Sequence, residues 1–499
     1  MRAAVRIAVA VALFNFAWMP GQFLDGDPAG WREEARSIVL RGELSVPEQF
    51  AARSFAPGQY FVRNEANGRY YSKYGIMNAV MSLPPMWLQA ATAGGISAAG
   101  HYPSLLLTNV WNVVLSTVLA VLLYALASRY TQRVALRVLF VAAVLYCSFL
   151  WFYQRAQSSE IYQVLFFTAL FMYLSPFLRA SRERGPLRLE PRAWAGLAGA
   201  WIFAALLLFT RVSYGLLLPI IALLALYAAL AGRPWQEVRP AAGKLALALV
   251  LPPLAAVALL AYVNHVKFGA PWLSGYHQYN THEVLPTGRL ADALWGFFFS
   301  PRFSVFLYFP LLIVALFGAA AFWRRHRMDA IAMVSVFVAF VLAIGKLPAW
   351  AGEFTYGPRY LLFILPVLSL PALLFAEALI EQWHSWRARV FAAAAIGGLA
   401  YFAYLQVQVN RLDFWIYYDA RVALQAGYSE AAADYFRDRH IGHISADLIR
   451  HRHDLRALPF FPDLKRKVSA EDAERYVREL GKLIERGNWY WSLPREVRS

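Results

Sequence analysis

Two aspartates follow directly on the first apolar segment of the chain, in the stretch FLDGDPAGW. A carboxylate at such a place can take a proton from an attacking hydroxyl, as general-base catalysis requires. Asp27 followed by Pro28 is also a good start for a helix, with the aspartate as its cap. The two roles are compatible, and we take Asp27 and Asp25 as candidate catalytic residues.

Four further ionisable side chains lie at the ends of apolar segments. Lys73 lies among tyrosines in RYYSKYG, where an ammonium suits a phosphate, although a lysine beside tyrosines also anchors membrane helices at the interface. Arg211 lies in FTRVSYG, Arg359 in TYGPRY and Glu160 in SSEIYQ. Ionisable groups at the ends of membrane helices are costly unless they are paired or functional, so each is a candidate site residue.

A cationic site beside carboxylates suits group transfer from a lipid phosphate, because the cations stabilise the leaving charge while a carboxylate activates the acceptor. The chain has neither a GxxxxGKS nor a GxGxxG motif for a nucleotide. A polyprenyl-phosphate sugar dissolved in the membrane is a donor that needs neither motif. The spacing of His440, His443, His451 and His453 fits no metal-ligand pattern, and we predict that they lie on a solvated surface. No cofactor is predicted, and the need for a divalent cation stays open.

The composition indicates a membrane protein. The chain has 499 residues, of which 59% are hydrophobic and only 16% charged, and its mean hydropathy is +0.41. These values are too apolar for a soluble globular protein. The net charge of +17 does not indicate nucleic acid binding, because the lysines and arginines lie in short clusters between apolar segments. The one cysteine, Cys147, excludes an internal disulfide.

Apolar runs near the 20 residues needed to cross a bilayer predict about eleven transmembrane helices. They lie at 4–20, 104–127, 134–152, 161–178, 193–210, 212–231, 245–263, 304–323, 329–346, 360–380 and 390–409. With Arg2 and Arg6 near its beginning, the first run resembles a signal peptide, but no small-residue cleavage site follows, so we expect a retained helix. In 75–95, Pro84 and Pro85 are expected to break the helix and leave an interfacial or re-entrant segment.

Alternate connections between these runs are rich in arginine and lysine, and the positive-inside rule makes them cytoplasmic. We therefore predict an all-α polytopic protein of the inner (plasma) membrane with a cytoplasmic N-terminus. The active site would lie outside the cytoplasm, with a large first outer loop at 21–103. Residues 1–410 would form the transmembrane catalytic domain and 411–499 a small soluble tail on the outer side. Within the tail, 469–487 carries a helix signal with a cap at Ser469.

Several motifs resemble those of the GT-C-type membrane glycosyltransferases, in the broad group of the protein O-mannosyltransferases and the lipid A aminoarabinose transferases. The likeness is greater to a bacterial branch with YSKYG after the first loop and YGPRYL before a late helix. It covers about residues 1–410 and leaves out the tail. Besides Asp27, it rests on RSIVLRGELSVP at 36–47, YYSKYG at 70–75, FGAPWLSGY at 268–276, SPRFSVFLYFP at 300–310 and WAGEFTYGPRYLLFILP at 350–366.

The resemblance implies inverting transfer of a sugar from a polyprenyl-phosphate donor, in a single displacement with Asp27 as the base. The acceptor would be a glycan, a lipid or a protein. The sequence departs from the family pattern in two places. Pro28 replaces the second acid of a usual pair, so that Asp25 could share the role of the base. The aminoarabinose and mannosyl transferases carry a Lys-Pro-Pro segment, whereas here Lys73 is separated from Pro84 and Pro85. The remaining expected roles are phosphate binding by Lys73, Arg211 and Arg359, and contact with the sugar or acceptor by Glu160, Tyr276 and Tyr356.

Three other functions are alternatives to glycosyl transfer from a polyprenyl-phosphate donor. A transporter or flippase of an anionic lipid-linked saccharide predicts inverted repeats and charges near the middle of the membrane, and the sequence has neither. A polysaccharide polymerase or ligase would place its essential arginines in a large late outer loop, whereas here the first loop is the larger. A non-catalytic scaffold whose tail binds a partner is not excluded by the pattern.

Overall fold

The computed structural model describes residues 2–21, 27–53, 60–92, 104–156, 158–181, 190–276, 286–352, 356–412, 435 and 439–486. These residues form helices and one small antiparallel hairpin, in which Phe61 pairs with Ser72 and Arg63 with Tyr70.

The helices and strands follow one another in the chain as α1 (Arg2–Ala17), α2 (Asp27–Arg41), α3 (Glu48–Arg53), β1 (Phe61–Arg63), β2 (Tyr70–Ser72), α4 (Ile76–Thr92), α5 (Leu105–Ala127), α6 (Val134–Tyr146), α7 (Leu150–Arg155), α8 (Glu160–Ala180), α9 (Pro191–Thr210), α10 (Leu217–Leu230), α11 (Trp235–Phe268), α12 (Leu290–Phe299), α13 (Val305–Tyr308), α14 (Leu311–Arg325), α15 (Arg327–Gly345), α16 (Leu365–Leu368), α17 (Pro371–Glu381), α18 (Trp386–Arg411), α19 (Ile441–Arg450), α20 (Phe461–Lys467) and α21 (Ala470–Arg486). Short 3₁₀ segments lie at Val212–Leu216, Arg359–Leu361 and Leu455–Ala457.

Within the described residues, seven helical segments are long and apolar enough to cross a membrane. They are α5, α8, α9, the segment Val212–Leu230, α11, α15 and α18, and they match seven of the eleven predicted runs. The other four runs hold shorter helices, namely α1, α6, α14 and the pair α16 and α17. The all-α polytopic architecture is confirmed, and the number of eleven crossings stays a prediction.

Basic residues from different connections meet at one end of the helix bundle. Arg179 Nε and Tyr130 Oη donate to the same oxygen of Asp329, at 3.0 and 2.9 Å. Arg233 donates to the carbonyl of Ser181. The connections after α5, α8, α10 and α14 thus share one end, as the charge pattern requires. The side of the membrane that this end faces stays a prediction.

The opposite end of the bundle carries α2, the hairpin and α4. Glu160 begins α8 and Arg179 lies near its end, so the two ends are about 28 Å apart at 1.5 Å per residue. We call the end that carries Glu160 the site end. The longest described helix, α11, has 34 residues and a largely exposed middle, and it terminates at the site end with a left-handed Gly269.

The expectation that Pro84 and Pro85 break segment 75–95 is wrong. Both prolines lie inside the continuous helix α4. A neighbouring helix compensates for one of the two missing N–H groups: Trp111 Nε1 of α5 donates to the carbonyl of Met81, four residues before Pro85, at 2.7 Å. The helix packs against α2 and α5.

The N-terminal end of α4 is fastened to the end of α9. Gly75 lies so close to α9 that a Cβ built on it would be 2.1 Å from the carbonyl oxygen of Phe209. Asn78 Nδ2 donates to the carbonyl of Thr210 at 3.0 Å, and Tyr162 Oη of α8 donates to Asn78 Oδ1 at 3.0 Å. The glycine of the YSKYG motif is therefore required by a backbone contact.

The tail residues 439–486 form α19 to α21 around a separate hydrophobic cluster that includes Leu448, Phe460 and Leu480. The predicted helix is confirmed as α21, and Ser469 Oγ accepts from the amide of Asp472 at 3.1 Å as its cap. The prediction of a solvated surface for the four histidines is wrong for His440, which is 4% exposed. Its ring lies 4.3 Å from that of Tyr308, because the start of α19 packs onto the bundle there.

Substitution of Gly75 by alanine tests the contact between α4 and α9. We expect Gly75→Ala to lower the free energy of unfolding by about 1–3 kcal/mol, since backbone atoms must move to admit a methyl group. The matched control is Gly243→Ala in α11, where a Cβ has no neighbour within 4 Å. Thermal unfolding in detergent measures both, and an unchanged unfolding temperature for Gly75→Ala would contradict the close approach.

Candidate active site

Asp27 is held by two partners at the site end of the bundle. It is the first residue of α2, and Tyr74 Oη donates to its Oδ1 at 2.5 Å. On the other side, Arg359 Nη1 lies 3.6 Å from Oδ2. About a third of the Asp27 side chain, 34%, is still exposed. The carboxylate is therefore oriented and remains accessible to a hydroxyl group.

The charges around Asp27 set its protonation state. Burial raises the pKa of the carboxyl, but the positive charge of Arg359, the hydrogen bond from Tyr74 and the charges of Lys73 and Arg211 lower it. The lowering effects prevail, so the pKa lies below its ordinary value. Asp27 is ionised at neutral pH and can accept a proton or a hydrogen bond.

Arg359 also faces a second carboxylate. Its Nη1 lies 4.0 Å from Oε1 of Glu160, the first residue of α8, whose side chain is 3% exposed. The Arg359 side chain itself is 20% exposed. One guanidinium thus lies between an accessible acid and a buried one, and the buried acid compensates its charge when the accessible acid is occupied.

Two more cations border the same space. Lys73 Nζ lies 5.2 Å from the centroid of the Tyr74 ring and 5.4 Å from that of Tyr276. The guanidinium carbons of Arg211 and Arg359 lie 4.7 and 5.1 Å from the ring centroid of Tyr360. The site therefore combines three cations with two carboxylates among the described residues, which leaves one net positive charge.

The loop that carries Arg359 is shaped by its glycine. Gly357 has φ +65°, and a Cβ there would lie 2.7 Å from the ring of Tyr308. The preceding Tyr356 is buried: its Oη donates to Gln406 Oε1 at 2.9 Å, and its carbonyl accepts from Tyr153 Oη at 2.9 Å. Tyr356 therefore fastens the loop to α7 and α18.

A close contact between the backbones of Gly275 and Lys73 places Tyr276 at the site. A Cβ on Gly275 would lie 2.4 Å from the Cα of Lys73, so the two motifs that contain these residues touch along their backbones. The Tyr276 ring then meets that of Tyr74 edge to face, with centroids 6.2 Å apart. Glycine permits this contact where any larger residue would separate the two segments.

The structure brings together six of the eight residues singled out from the sequence, namely Asp27, Lys73, Glu160, Arg211, Tyr276 and Arg359. Tyr356 is buried, with its hydroxyl bonded to Gln406, and no described contact joins it to the six; Asp25 lies outside the described residues. Sequence reasoning did not single out Tyr74 and Tyr360 as site residues, although each adjoins a predicted cation in its motif. In the described part of the chain, no group of three or more His, Cys, Asp or Glu side chains could hold a metal ion.

Known proteins match this chain by structure. No family model matches it, and no curated protein matches its sequence significantly. The oligosaccharyltransferase of Archaeoglobus fulgidus in its apo form has a TM-score of 0.50 at 13% identity, over 83% of this chain and 58% of that one. The same protein in complex with zinc and sulfate has a TM-score of 0.51 at 15% identity, over 84% of this chain and 55% of that one. ArnT from Cupriavidus metallidurans in the apo state has a TM-score of 0.48 at 12% identity, over 96% and 88%.

The chain spans less than two thirds of the length of the archaeal protein. At these identities the two archaeal structures indicate the fold, and the ArnT structure, with its lower score, adds no argument. The predicted architecture is confirmed by this likeness: the chain has the fold of the GT-C-type membrane glycosyltransferases.

Proposed function

We propose that the protein is an inverting glycosyltransferase that moves a sugar from a polyprenyl-phosphate donor to an acceptor hydroxyl, with Asp27 as the general base. The observation that carries this proposal is the accessible Asp27 carboxylate, held between Tyr74 Oη and Arg359 with Lys73 and Arg211 nearby. An oriented base beside several fixed cations suits the departure of a phosphate.

The reaction proceeds in one displacement. The acceptor oxygen attacks the anomeric carbon while the bond from that carbon to the phosphate oxygen breaks, and the bonding electrons leave with the polyprenyl phosphate. Asp27 takes the proton of the acceptor hydroxyl. Lys73, Arg211 and Arg359 bind the phosphate and stabilise the charge that develops on it.

The remaining site residues receive supporting roles. Glu160 compensates the charge of Arg359 from its buried side, and Tyr276 contacts the transferred sugar through its ring. The Tyr356 hydroxyl is engaged by Gln406, so we assign Tyr356 to the support of the Arg359 loop. Asp25 stays a candidate to share the role of the base.

The fold supports glycosyl transfer as the class of reaction, because the archaeal protein that shares it is named an oligosaccharyltransferase. We further propose that the site end faces outwards from the inner membrane, with the N-terminus in the cytoplasm. This orientation follows from the basic clusters at the opposite end. Reporter fusions would test it: a fusion within 129–133 should report the cytoplasm, and one within 411–499 should report the outer side.

A transporter or flippase of an anionic lipid-linked saccharide is the competing function. Its distinguishing property is that it leaves the donor chemically intact. Purified protein in detergent, where no second compartment exists, should release free polyprenyl phosphate from a polyprenyl-phosphate sugar if the enzyme proposal is right. Lack of release across a panel of hexose and pentose donors, with a cell-envelope extract as the acceptor, would favour transport.

Replacement of the base should stop the reaction without unfolding the protein. We expect Asp27→Asn to lower the rate of polyprenyl phosphate release by about 10²–10⁴-fold, because the amide cannot take a proton. The control is Asp292→Asn, an exposed acid of α12 that pairs with Arg289. Full activity of Asp27→Asn would remove this residue from the mechanism, and an inactive Asp25→Asn beside it would assign the role to Asp25.

Removal of the Tyr74 hydroxyl should change the pH dependence. Tyr74→Phe deletes a hydrogen bond that lowers the pKa of Asp27, so that pKa rises towards its ordinary value. Since the base must be ionised, activity is lost as the pH falls through its pKa, and the acid limb of kcat/KM moves to higher pH. We also expect the plateau rate to fall about tenfold, as for loss of a hydrogen bond to a charged group. An unchanged acid limb would contradict this account of the base.

A further inference from the structure

One ion pair in the described part of the chain is almost completely enclosed. Lys267 Nζ lies 2.7 Å from Glu34 Oε1, and the side chains are 1% and 0% exposed. Lys267 belongs to the last turn of α11 and Glu34 to the middle of α2. The pair therefore joins a long apolar helix to the helix that begins with Asp27.

Such a pair contributes little to stability by itself. Burial raises the pKa of Glu34 against the opposing charge of Lys267, and Glu34 Oε2 accepts no hydrogen bond from the described residues. Replacing a buried ion pair with well-packed apolar side chains is often neutral or stabilising, because desolvation offsets much of the attraction. The location of the pair, between α11 and α2, thus indicates that it fixes the position of these two helices relative to each other.

A third contact gives the pair its position relative to the base. Lys267 Nζ donates to the carbonyl oxygen of Tyr74 at 2.9 Å. The hydroxyl of the same Tyr74 donates to Asp27. The ammonium of Lys267 therefore links both segments that orient the Asp27 carboxylate, namely α2 through Glu34 and the turn after β2 through Tyr74.

The surrounding contacts leave Tyr74 little freedom on the α2 side. The ring of Trp31 meets that of Tyr74 edge to face at 5.1 Å, and a Cβ on Gly30 would lie 3.0 Å from the Tyr74 ring. The hairpin is also fastened to α11, since Asn64 Nδ2 donates to the carbonyl of Val266 at 3.1 Å. The end of α11 is thus the common support of α2 and the hairpin.

We infer that Lys267 and Glu34 are positioning residues, which set the distance between Tyr74 and Asp27 and thereby the orientation of the base. The inference rests on the proposed function for its kinetic consequences. Neither residue touches the substrate or the reacting atoms. Loss of the hydrogen bond from Lys267 to the Tyr74 carbonyl shifts the turn within the limits set by Trp31 and Gly30, and the hydrogen bond from the tyrosine hydroxyl to Asp27 is weakened.

The main test is the double variant Glu34→Leu/Lys267→Met, which removes both charges and keeps an apolar pair of similar volume. Its unfolding temperature in detergent should equal or exceed that of the wild type. We expect kcat to fall at least about tenfold, as for loss of a hydrogen bond that involves a charged group, while KM for the polyprenyl-phosphate donor changes little. The acid limb of its pH profile should move to higher pH.

Glu34→Gln and a distant double variant serve as comparisons. Glu34→Gln keeps an acceptor for Lys267 and keeps the hydrogen bond to Tyr74, so its kcat per folded molecule should stay near that of the wild type even though its unfolding temperature falls. Arg456→Gln/Glu474→Gln removes an exposed pair in the tail and should change neither quantity. If the apolar double variant does not fold, Lys267→Met measured per folded molecule replaces it, with the same expected results.

Hydrogen exchange gives a readout that needs no substrate. In the apolar double variant, the amides of Lys73 and Asn78, which donate to the carbonyls of Tyr60 and Gly75, should exchange faster than in the wild type. A folded double variant with wild-type kcat, pH profile and exchange would overturn the inference. Wild-type protein that consumes no donor would contradict the proposed function instead, and the exchange result would still decide the positional role.

Discussion

A guanidinium shared by two carboxylates is the interaction on which the arrangement of the site depends. Arg359 faces Asp27 on an accessible side and Glu160 on a buried side, at one end of a bundle of apolar helices. A charge in such surroundings is stable only with partners. Because the three residues come from different parts of the chain, the pairing requires α2, α8 and the loop before α16 to meet at one end of the bundle.

Close backbone approaches bring these segments together. Gly75 fits against the end of α9, Gly275 against Lys73, and Gly357 against the rings of Tyr308 and Phe149. Each glycine belongs to a short motif that also carries a site residue, so the motif supplies both the contact and the functional side chain. Because contact and function lie in the same motif, the short motifs at 70–75, 268–276 and 350–366 indicated the site from the sequence.

Much of the architecture followed from the sequence, because spans of apolar residues and clusters of arginine report directly on the membrane environment. The convergence of Asp27, Lys73, Arg211 and Arg359 was also predictable, since all four lie at segment ends on the same side in the charge pattern. Predictions from local sequence were wrong where packing between distant segments determines the structure. Two prolines were accommodated inside α4, His440 was buried against Tyr308, and the Tyr356 hydroxyl was turned towards Gln406. The Lys267 and Glu34 pairing joins residues more than 230 positions apart and has no local signal.

The length of α11 has a mechanical consequence for this arrangement. At 1.5 Å per residue its 34 residues measure about 51 Å, against a hydrocarbon thickness of about 30 Å. Its apolar run at 245–263 measures only about 28 Å, so this run spans the hydrocarbon and both ends of the helix project beyond the lipid. The support of Tyr74 sits on the final turn, beyond that run, so the hydrogen bonds that orient the Asp27 carboxylate are anchored just outside the hydrocarbon.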